Sequence, residues 1–269
     1  PFPGDGGEPD QRVGLGARLE HRRPGELTDV VGHLEVTERA AALGVRLTLR
    51  DALPVEVIWP NARRPKGLRT YDYRLHQDEY TTVGDMRITT VTRTAFDIGR
   101  RRSFLDAVCR LDALGNATRL DVDDVLALAR RHRGARRVRQ LVTALAVHDP
   151  GAESPKETWL RLVLLDAGFP RPRTQIPVLG VNGRTRYYLD MGWEDMTVAV
   201  EYDGAQHWDP VAHAADIDRL EFLAARRWRI VRVSARHLRY GSADVVRRAR
   251  DALLSRGWSP RLQKMTETG

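Results

Sequence analysis

Three acidic residues in the C-terminal half of the chain, Asp190, Glu201 and Asp203, have the type and spacing of a site that acts on phosphate. Glu201 and Asp203 end the apolar run 198–204, which predicts a buried strand closed by a glycine. Alternate residues of a strand share one face, so the two carboxylates would lie ~7 Å apart. Buried groups of like charge require a proton, an ion-pair partner or a bound cation.

Asp190 ends a second predicted strand, residues 184–190. Acids that end two adjacent strands would form an oxygen-rich site for Mg2+ (or Mn2+), and no cluster of cysteine and histidine accompanies them that would favour zinc. A metal ion there would polarise a phosphodiester and activate a water molecule. The alternative is a buried ion-pair network, in which arginines neutralise the acids. The candidates for that role are Arg186, Arg229 and Arg232.

The elements around these acids predict one α-β-β-β-α-β-α domain over residues 151–260. Ser154, Pro155 and Glu157 have the spacing of a capped helix start. Asn182-Gly183 predicts a hairpin turn between two strands. The other predicted elements are the strands 174–179 and 228–233 and the helices 212–227 and 243–254. The last two strands would pair in parallel through a crossover helix.

The rest of the chain predicts a smaller α+β domain over residues 51–150, with three strands followed by helices. Its predicted strands are 55–59, 69–75 and 86–91, and its helices begin near Thr92, at Phe104, at Asp121 and after Gly134. Residues 148–155 have the composition of a linker, which predicts a domain boundary and a C-terminal domain that folds alone. Residues 1–50 are poorly defined, with one candidate helix at 28–43, and 261–269 form a tail. The fold class is α/β, or α+β overall.

Charge favours a polyanionic partner, because the chain of 269 residues has a net charge of +8 and a pI near 10.1. Nucleic acid is the first such partner, DNA before RNA, and no membrane partner is expected. Residues 130–139 hold six arginines and no acid, and Arg133, Arg136 and Arg137 would contact phosphates. The alternative is a solvated helix junction. Cys109, the sole cysteine, is predicted to lie in the core, and the lack of a long apolar run predicts a cytoplasmic protein.

Residues 154–256 resemble the restriction-endonuclease-like (PD-(D/E)XK) superfamily, in the branch similar to very-short-patch-repair endonucleases. The matching residues are Glu157, Asp190 and the segment Glu201-Tyr-Asp203-Gly204. The resemblance implies a mixed sheet flanked by helices and a magnesium-dependent endonuclease that acts on DNA, for example in DNA repair. Asp190 and Glu201 would then bind the metal together with Asp203 and the Tyr202 carbonyl. Glu157 and His207 would complete the catalytic set.

The sequence departs from this superfamily at Asp203, where the pattern has a lysine that stabilises charge on the phosphate. The missing cation would come from Arg219, Arg226 or His207. Residues 51–100, with the segment 91–97, resemble the region that precedes this nuclease module in actinobacterial proteins similar to AbiEi-type antitoxins. Those proteins usually begin with a winged helix, which cannot be traced in residues 1–50.

Three functional hypotheses follow. The first is a magnesium-dependent DNA endonuclease. The second is an inactive, nucleic-acid-binding antitoxin or regulator that retains the nuclease fold. The third is an acid–base hydrolase with two carboxylates, as in glycosidases, and nothing in the sequence suggests a sugar-binding cleft. The first two differ at Asp203, where activity predicts a metal ion and an inactive site predicts an arginine partner.

Overall fold

The computed structural model describes residues 31–33, 55–58, 68–83, 86–204 and 210–259. These residues form a mixture of helices and strands, as predicted. Contacts along the chain divide it into two units, and the described residues change from the first unit to the second between Thr89 and Thr90. This division does not fall at residues 148–155, where the linker composition predicted a boundary.

The first unit contains a five-stranded sheet. Its strands are β1 (Val31–His33), β2 (Val55–Ile58), β3 (Leu68–Tyr71), β4 (Tyr80–Val83) and β5 (Met86–Thr89), in the order β3-β2-β1-β5-β4. The pairs β1–β5 and β2–β3 are parallel, and β1–β2 and β4–β5 are antiparallel. The helix predicted at 28–43 is wrong at residues 31–33, which are extended, and the rest of residues 1–50 lies outside the described part of the chain.

Among the described residues, the second unit begins with four helices: α1 (Val91–Arg101), α2 (Phe104–Ala117), α3 (Val122–Arg131) and α4 (Val138–Ala146). Thr90, not Thr92, caps α1, because its side chain accepts from the Arg93 amide. Ser103 and Asp121 cap α2 and α3 as their sequence positions predicted. The four helices share one apolar core whose largest members include Phe96, Leu111 and Leu141.

A glycine often ends a helix, which would place the end of α2 at Gly115, but Gly115 lies inside α2 and does not end it. A Cβ atom at this position would lie 2.6 Å from the ring of His148. Glycine is therefore required here by the close approach of residues 148–150 to the helix, and not by a helix end. The apparent linker packs tightly against α2.

A buried polar network centred on Asp112 of α2 joins this segment to the next helix, α5 (Pro155–Asp166). Asp112 Oδ1 accepts from the Asp149 amide at 2.8 Å and lies 3.1 Å from His148 Nδ1. Its Oδ2 accepts from Thr158 Oγ1 at 2.8 Å and from Arg161 Nη2 at 2.5 Å. Arg161 is fully buried. The charged partner of α5 is thus supplied by α2, on the other side of the predicted boundary.

The C-terminal part of the second unit contains a four-stranded sheet. Its elements after α5 are β6 (Arg173–Leu179), β7 (Thr185–Trp193), β8 (Val198–Asp203), α6 (Pro210–Ala225), β9 (Arg229–Ser234), α7 (Ala235–Tyr240) and α8 (Ser242–Leu254). The strand order is β6-β7-β8-β9, with the first two pairs antiparallel and β8–β9 parallel. The hairpin pairing of β6 with β7 and the parallel pairing of β8 with β9 agree with the predictions from the sequence. One core cluster takes residues from α5 and α8, and another takes Leu223 from α6. Helix α7 was not predicted.

Cys109 lies in α2 and is partly buried, with its Sγ 3.6 Å from the Pro155 carbonyl. Burial raises the pKa of its thiol to about 11. At pH 8 the thiolate fraction is then ~0.1%, whereas a free cysteine is about a quarter ionised. Iodoacetamide should therefore alkylate Cys109 about two hundredfold more slowly than free cysteine, as measured by mass spectrometry. The urea-unfolded protein is the control, and equal rates in the folded and unfolded protein would contradict the buried thiol.

Within the described residues, no helix combines the length and the apolar character that a membrane crossing requires.

Candidate functional site

The candidate site lies where strands β7 and β8 separate. Their pairing runs from Trp193–Val198 to Met191–Val200, and the next residue on each strand is an acid, Asp190 on β7 and Glu201 on β8. The sequence predicted that Asp190 ends its strand. In the structure the strand continues to Trp193, and Asp190 marks the point where β7 separates from β8. Its Oδ2 accepts from the Tyr202 amide at 2.7 Å, which caps the backbone group that the lost pairing would leave free. We call Asp190, Glu201 and the backbone of β7 and β8 next to these two residues the strand fork.

Arg219 of α6 fills the strand fork. Its guanidinium donates to both oxygens of Glu201, at 3.2 Å and 2.5 Å, and to the Tyr188 carbonyl of β7 at 3.1 Å. A guanidinium that contacts both strands holds them at a fixed separation and neutralises Glu201. Asp216, three residues before Arg219 on the same helix, has the spacing of a helix ion pair with it, but Asp216 accepts from Arg232 instead.

Acidic groups outnumber this arginine. Burial raises the pKa of both Asp190 and Glu201, and Arg219 offsets part of the rise at each. Asp190 also raises the pKa of Glu201 and of Glu157, and Glu153 raises that of Asp190, because these like charges repel one another. Among the described residues, four carboxylates thus interact around Arg219, with a smaller favourable contribution from Arg232 at Glu201, and the negative charges outnumber the positive ones.

Glu157 belongs both to a helix cap and to the surroundings of the fork. Its carboxylate accepts from the Glu153 amide at 2.9 Å and from the Ser154 hydroxyl at 2.8 Å, while Ser154 caps α5 as predicted. Burial raises the pKa of Glu157, and the repulsion from Asp190 adds to the rise. The capping role and the proximity to Asp190 are therefore both present, and the sequence left them open as alternatives.

Asp203 does not join the other two acids. Its Oδ2 accepts from Arg232 Nη2 at 2.9 Å, and Nη1 of the same guanidinium donates to Asp216 on α6 at 2.7 Å. Among the residues that the structure describes, Asp190, Glu201 and Asp203 do not form a set of three ligands at metal-binding distances. An arginine partner at Asp203 is what the inactive-site hypothesis predicted, and Arg232 was among its three named candidates.

The Tyr202 carbonyl has a suitable direction for a ligand. The amide and carbonyl of one strand residue face the same neighbouring strand. The Tyr202 amide donates to Asp190, so its carbonyl also faces the β7 side of β8. His207, the remaining predicted site residue, lies outside the described part of the chain.

The predicted phosphate-binding arginines occupy different surroundings. Arg226 donates to the Leu179 carbonyl at 3.1 Å and stacks 3.5 Å from the Phe222 ring centroid. Arg133 and Arg136 are exposed in the turn between α3 and α4, and no described carboxylate pairs with them. Arg137 is exposed in the same turn, with a left-handed backbone (φ 61°) and a bond to the Arg102 carbonyl. We call residues 130–139 the arginine turn.

Arg232 was one of three arginines considered as partners of the acids, whereas its second pairing, with Asp216 on α6, was missed from the sequence. The only indication in the sequence was that Arg232 lies on a strand predicted to pair with β8. In the structure the register places Arg232 opposite Glu201. The pairing of Arg232 with Asp216 depends on where α6 crosses the sheet, and no local sequence pattern predicts that position.

Comparison with known proteins finds two similar chains, the uncharacterized proteins Rv2248 and MT2308 of two Mycobacterium tuberculosis strains. Each is 32% identical to this chain over 142 residues, which cover 51% of this chain and 51% of the relative. The chain thus matches over about half the length of these curated relatives. No protein-family description matches it, and no solved structure does.

Proposed function

We propose that the C-terminal part of the second unit is a restriction-endonuclease-like domain that hydrolyses phosphodiester bonds in DNA with the aid of Mg2+ or Mn2+. The observation that carries the proposal is the strand fork, where the buried Glu201 and the half-buried Asp190 come from neighbouring strands and lie near a third acid, Glu157, while Arg219 binds Glu201. Such an excess of buried negative charge is costly without a cation. The order of elements around it also agrees with that superfamily.

The donors at the strand fork suit a hard divalent cation. Asp190 and Glu201 offer carboxylate oxygens and Tyr202 offers a carbonyl, the ligand types that Mg2+ prefers. When bound there, the ion would polarise the phosphate and make a bound water molecule more acidic. Asp203 is left out of this set, because Arg232 holds it.

Arg219 is the residue that takes the place of the missing lysine. In the present geometry its guanidinium is the counterion of Glu201. A guanidinium at hydrogen-bonding distance from the metal-binding acid is also close enough to contact a phosphate oxygen bound beside them. Arg219 would thus balance Glu201 in the free protein and the substrate phosphate in the complex.

The test of this proposal is a cleavage assay. The purified protein is incubated with single-stranded, duplex and mismatched DNA, and with RNA, in Mg2+, Mn2+ or EDTA. Cleavage of DNA is expected with either metal and none with EDTA. Failure to cut any substrate with either metal would contradict the enzymatic proposal.

The arginine turn supplies the proposed electrostatic contact with the nucleic-acid backbone. Arg133→Ala and Arg136→Ala should each lower the slope of log affinity against log salt by about 0.9 if that residue contacts one phosphate. Arg247→Ala is the matched control: it removes the same charge, but Arg247 is already paired with Asp244 and Asp251. Fluorescence anisotropy at several salt concentrations measures the slope. Equal slopes for all three variants would mean that the arginine turn is solvated surface and does not contact phosphates.

A second candidate function is nucleic-acid binding without cleavage, as in an antitoxin-like regulator. Its specific support is the pair of arginines that already hold two of the predicted metal ligands, Arg219 on Glu201 and Arg232 on Asp203. A site whose acids are neutralised by the protein itself has less need of a metal ion. Salt-sensitive binding without metal-dependent cleavage in the assays above would favour this function.

A further inference from the structure

A cationic and aromatic surface adjoins the strand fork on the side that α6 covers. Arg219, Phe222 and Arg226 follow one another at intervals of three and four residues, so they share one face of the helix. The half-buried Tyr187 of β7 packs against this face. Its ring meets the Phe222 ring edge to face, with the centroids 5.4 Å apart, and its centroid lies 5.7 Å from Cζ of Arg219. Because Arg219 also binds Glu201, the aromatic pair is continuous with the candidate site.

Two guanidinium groups of the described residues stack on the Phe222 ring. Cζ of Arg226 lies 3.5 Å from the ring centroid, and Cζ of Arg186, which comes from β7, lies 4.5 Å from it. Arg226 is also held by its hydrogen bond to the Leu179 carbonyl. One ring therefore gathers two positive charges, one from the helix and one from the strand, in a defined geometry. We call Arg186, Phe222 and Arg226 the stacked arginine pair.

The charges of the stacked arginine pair are not neutralised within the part of the chain that the structure describes. Neither Arg186 nor Arg226 forms an ion pair with a described carboxylate, whereas Arg219 is paired with Glu201. Two like charges that converge on one ring repel each other, and a bound anion relieves that repulsion. Stacking uses the face of a guanidinium and leaves N–H groups at its edge, which match the oxygens of a phosphate.

The distance between the pair and the strand fork determines which phosphate the pair can reach. Arg226 lies seven residues after Arg219 on α6, a separation of ~10 Å along the helix. Arg186 lies four residues before Asp190 on β7, a separation of ~13 Å along the strand. A phosphate bound at the fork is therefore the neighbour of Arg219, and a phosphate farther along the same backbone is the neighbour of the pair.

We infer that the stacked arginine pair binds the DNA backbone at a phosphate away from the scissile one and directs the strand into the fork. This inference rests on the proposed nucleic-acid function and adds to it the path of the backbone across the protein, from the fork along α6 and β7. The pair holds and orients the substrate, and it takes no part in breaking the bond. Phe222 serves this role by keeping both guanidinium groups in place before DNA arrives.

The experiment measures the binding of a labelled DNA duplex by fluorescence anisotropy in EDTA, so that it does not depend on cleavage. Arg186→Ala and Arg226→Ala should each weaken binding about tenfold. Each should also lower the slope of log affinity against log salt by about 0.9, the value for one phosphate contact. Phe222→Leu removes the ring but no charge. It should weaken binding about fivefold, because two side chains lose their fixed positions, and leave the slope unchanged.

Arg239→Ala is the matched control. Arg239 also lies beside an aromatic ring, 6.0 Å from the Tyr240 centroid, and also lacks an ion pair with a described carboxylate, but it belongs to α7. Its affinity and slope should equal those of the parent. Melting temperatures identify any variant that does not fold, and Arg186→Ala decides the test if Arg226→Ala is one of these.

An unchanged slope in Arg186→Ala, an unchanged affinity in Phe222→Leu or an equal loss in Arg239→Ala would overturn the inference. Cleavage assayed separately in Mg2+ distinguishes this failure from that of the proposed function. A parent that cuts DNA, with an Arg186→Ala variant that binds DNA as the parent does, would refute the stacked arginine pair alone. A parent that binds no DNA would refute both.

Discussion

Asp112→Asn should destabilise the protein by about 3–5 kcal/mol, because it leaves the guanidinium of Arg161 buried without its charged partner. The substitution conserves size, so no cavity adds to the effect. For a unit of this size, each kcal/mol lowers the melting temperature by roughly 2–4 °C. Thermal unfolding followed by circular dichroism should therefore show a fall of roughly 6–20 °C. The reason lies in the burial: Arg161 is 0% exposed and Asp112 is 1% exposed.

Asp106→Asn on the same helix is the control. Asp106 pairs with Arg110 one turn later, but its side chain is 42% exposed, and pairs of this kind are worth about 0.3–0.5 kcal/mol. Its melting temperature should change by little more than 1 °C. A similar small change in Asp112→Asn would mean that Arg161 finds sufficient compensation from the Val147 carbonyl, to which it also donates. The Asp112 network would then contribute little to the free energy that holds the helices against the C-terminal part of the unit.

The local features of the fold could be predicted because the residues that determine them are adjacent in sequence. Ser154 caps α5 through the Glu157 amide, and Asn182 with Gly183 forms the turn between β6 and β7. The parallel pairing of β8 with β9 also followed from the chain, since a helix lies between the two strands. Sequence patterns therefore predicted the features whose hydrogen bonds form between residues of one short segment.

The domain boundary could not be predicted because linker composition does not report what packs on the linker. Residues 148–155 are rich in proline, glycine and polar side chains, as flexible segments are. In the structure they are held by Asp112, a residue more than 30 positions earlier whose acidic character looks ordinary within its helix. The partners of Arg219 and Arg232 were undetermined for the same reason. An arginine reaches any acid within several ångströms, so the choice depends on tertiary placement.

Asp190→Asn should abolish metal-dependent cleavage and leave the metal-free protein at least as stable as the parent. The asparagine oxygen can still accept from the Tyr202 amide. The substitution removes a half-buried charge that repels Glu201, Glu157 and Glu153. Mg2+ should raise the melting temperature of the parent by preferential binding to the folded state, and should raise that of Asp190→Asn much less. Differential scanning fluorimetry with and without Mg2+ measures both effects.

Glu201→Gln is the informative partner of this variant, because it removes a similar negative charge from the same fork with the opposite expected effect on stability. Arg219 would lose the carboxylate that accepts two of its hydrogen bonds, and charged hydrogen bonds are worth about 1.5–3 kcal/mol. Glu201→Gln should therefore lower the melting temperature of the metal-free protein, while Asp190→Asn does not, and neither should cleave DNA. Equal destabilisation of both variants would mean that Asp190 is also satisfied by Arg219 and that the fork carries no excess charge. Together with a parent indifferent to Mg2+, that result would reject the metal site and leave the binding function alone.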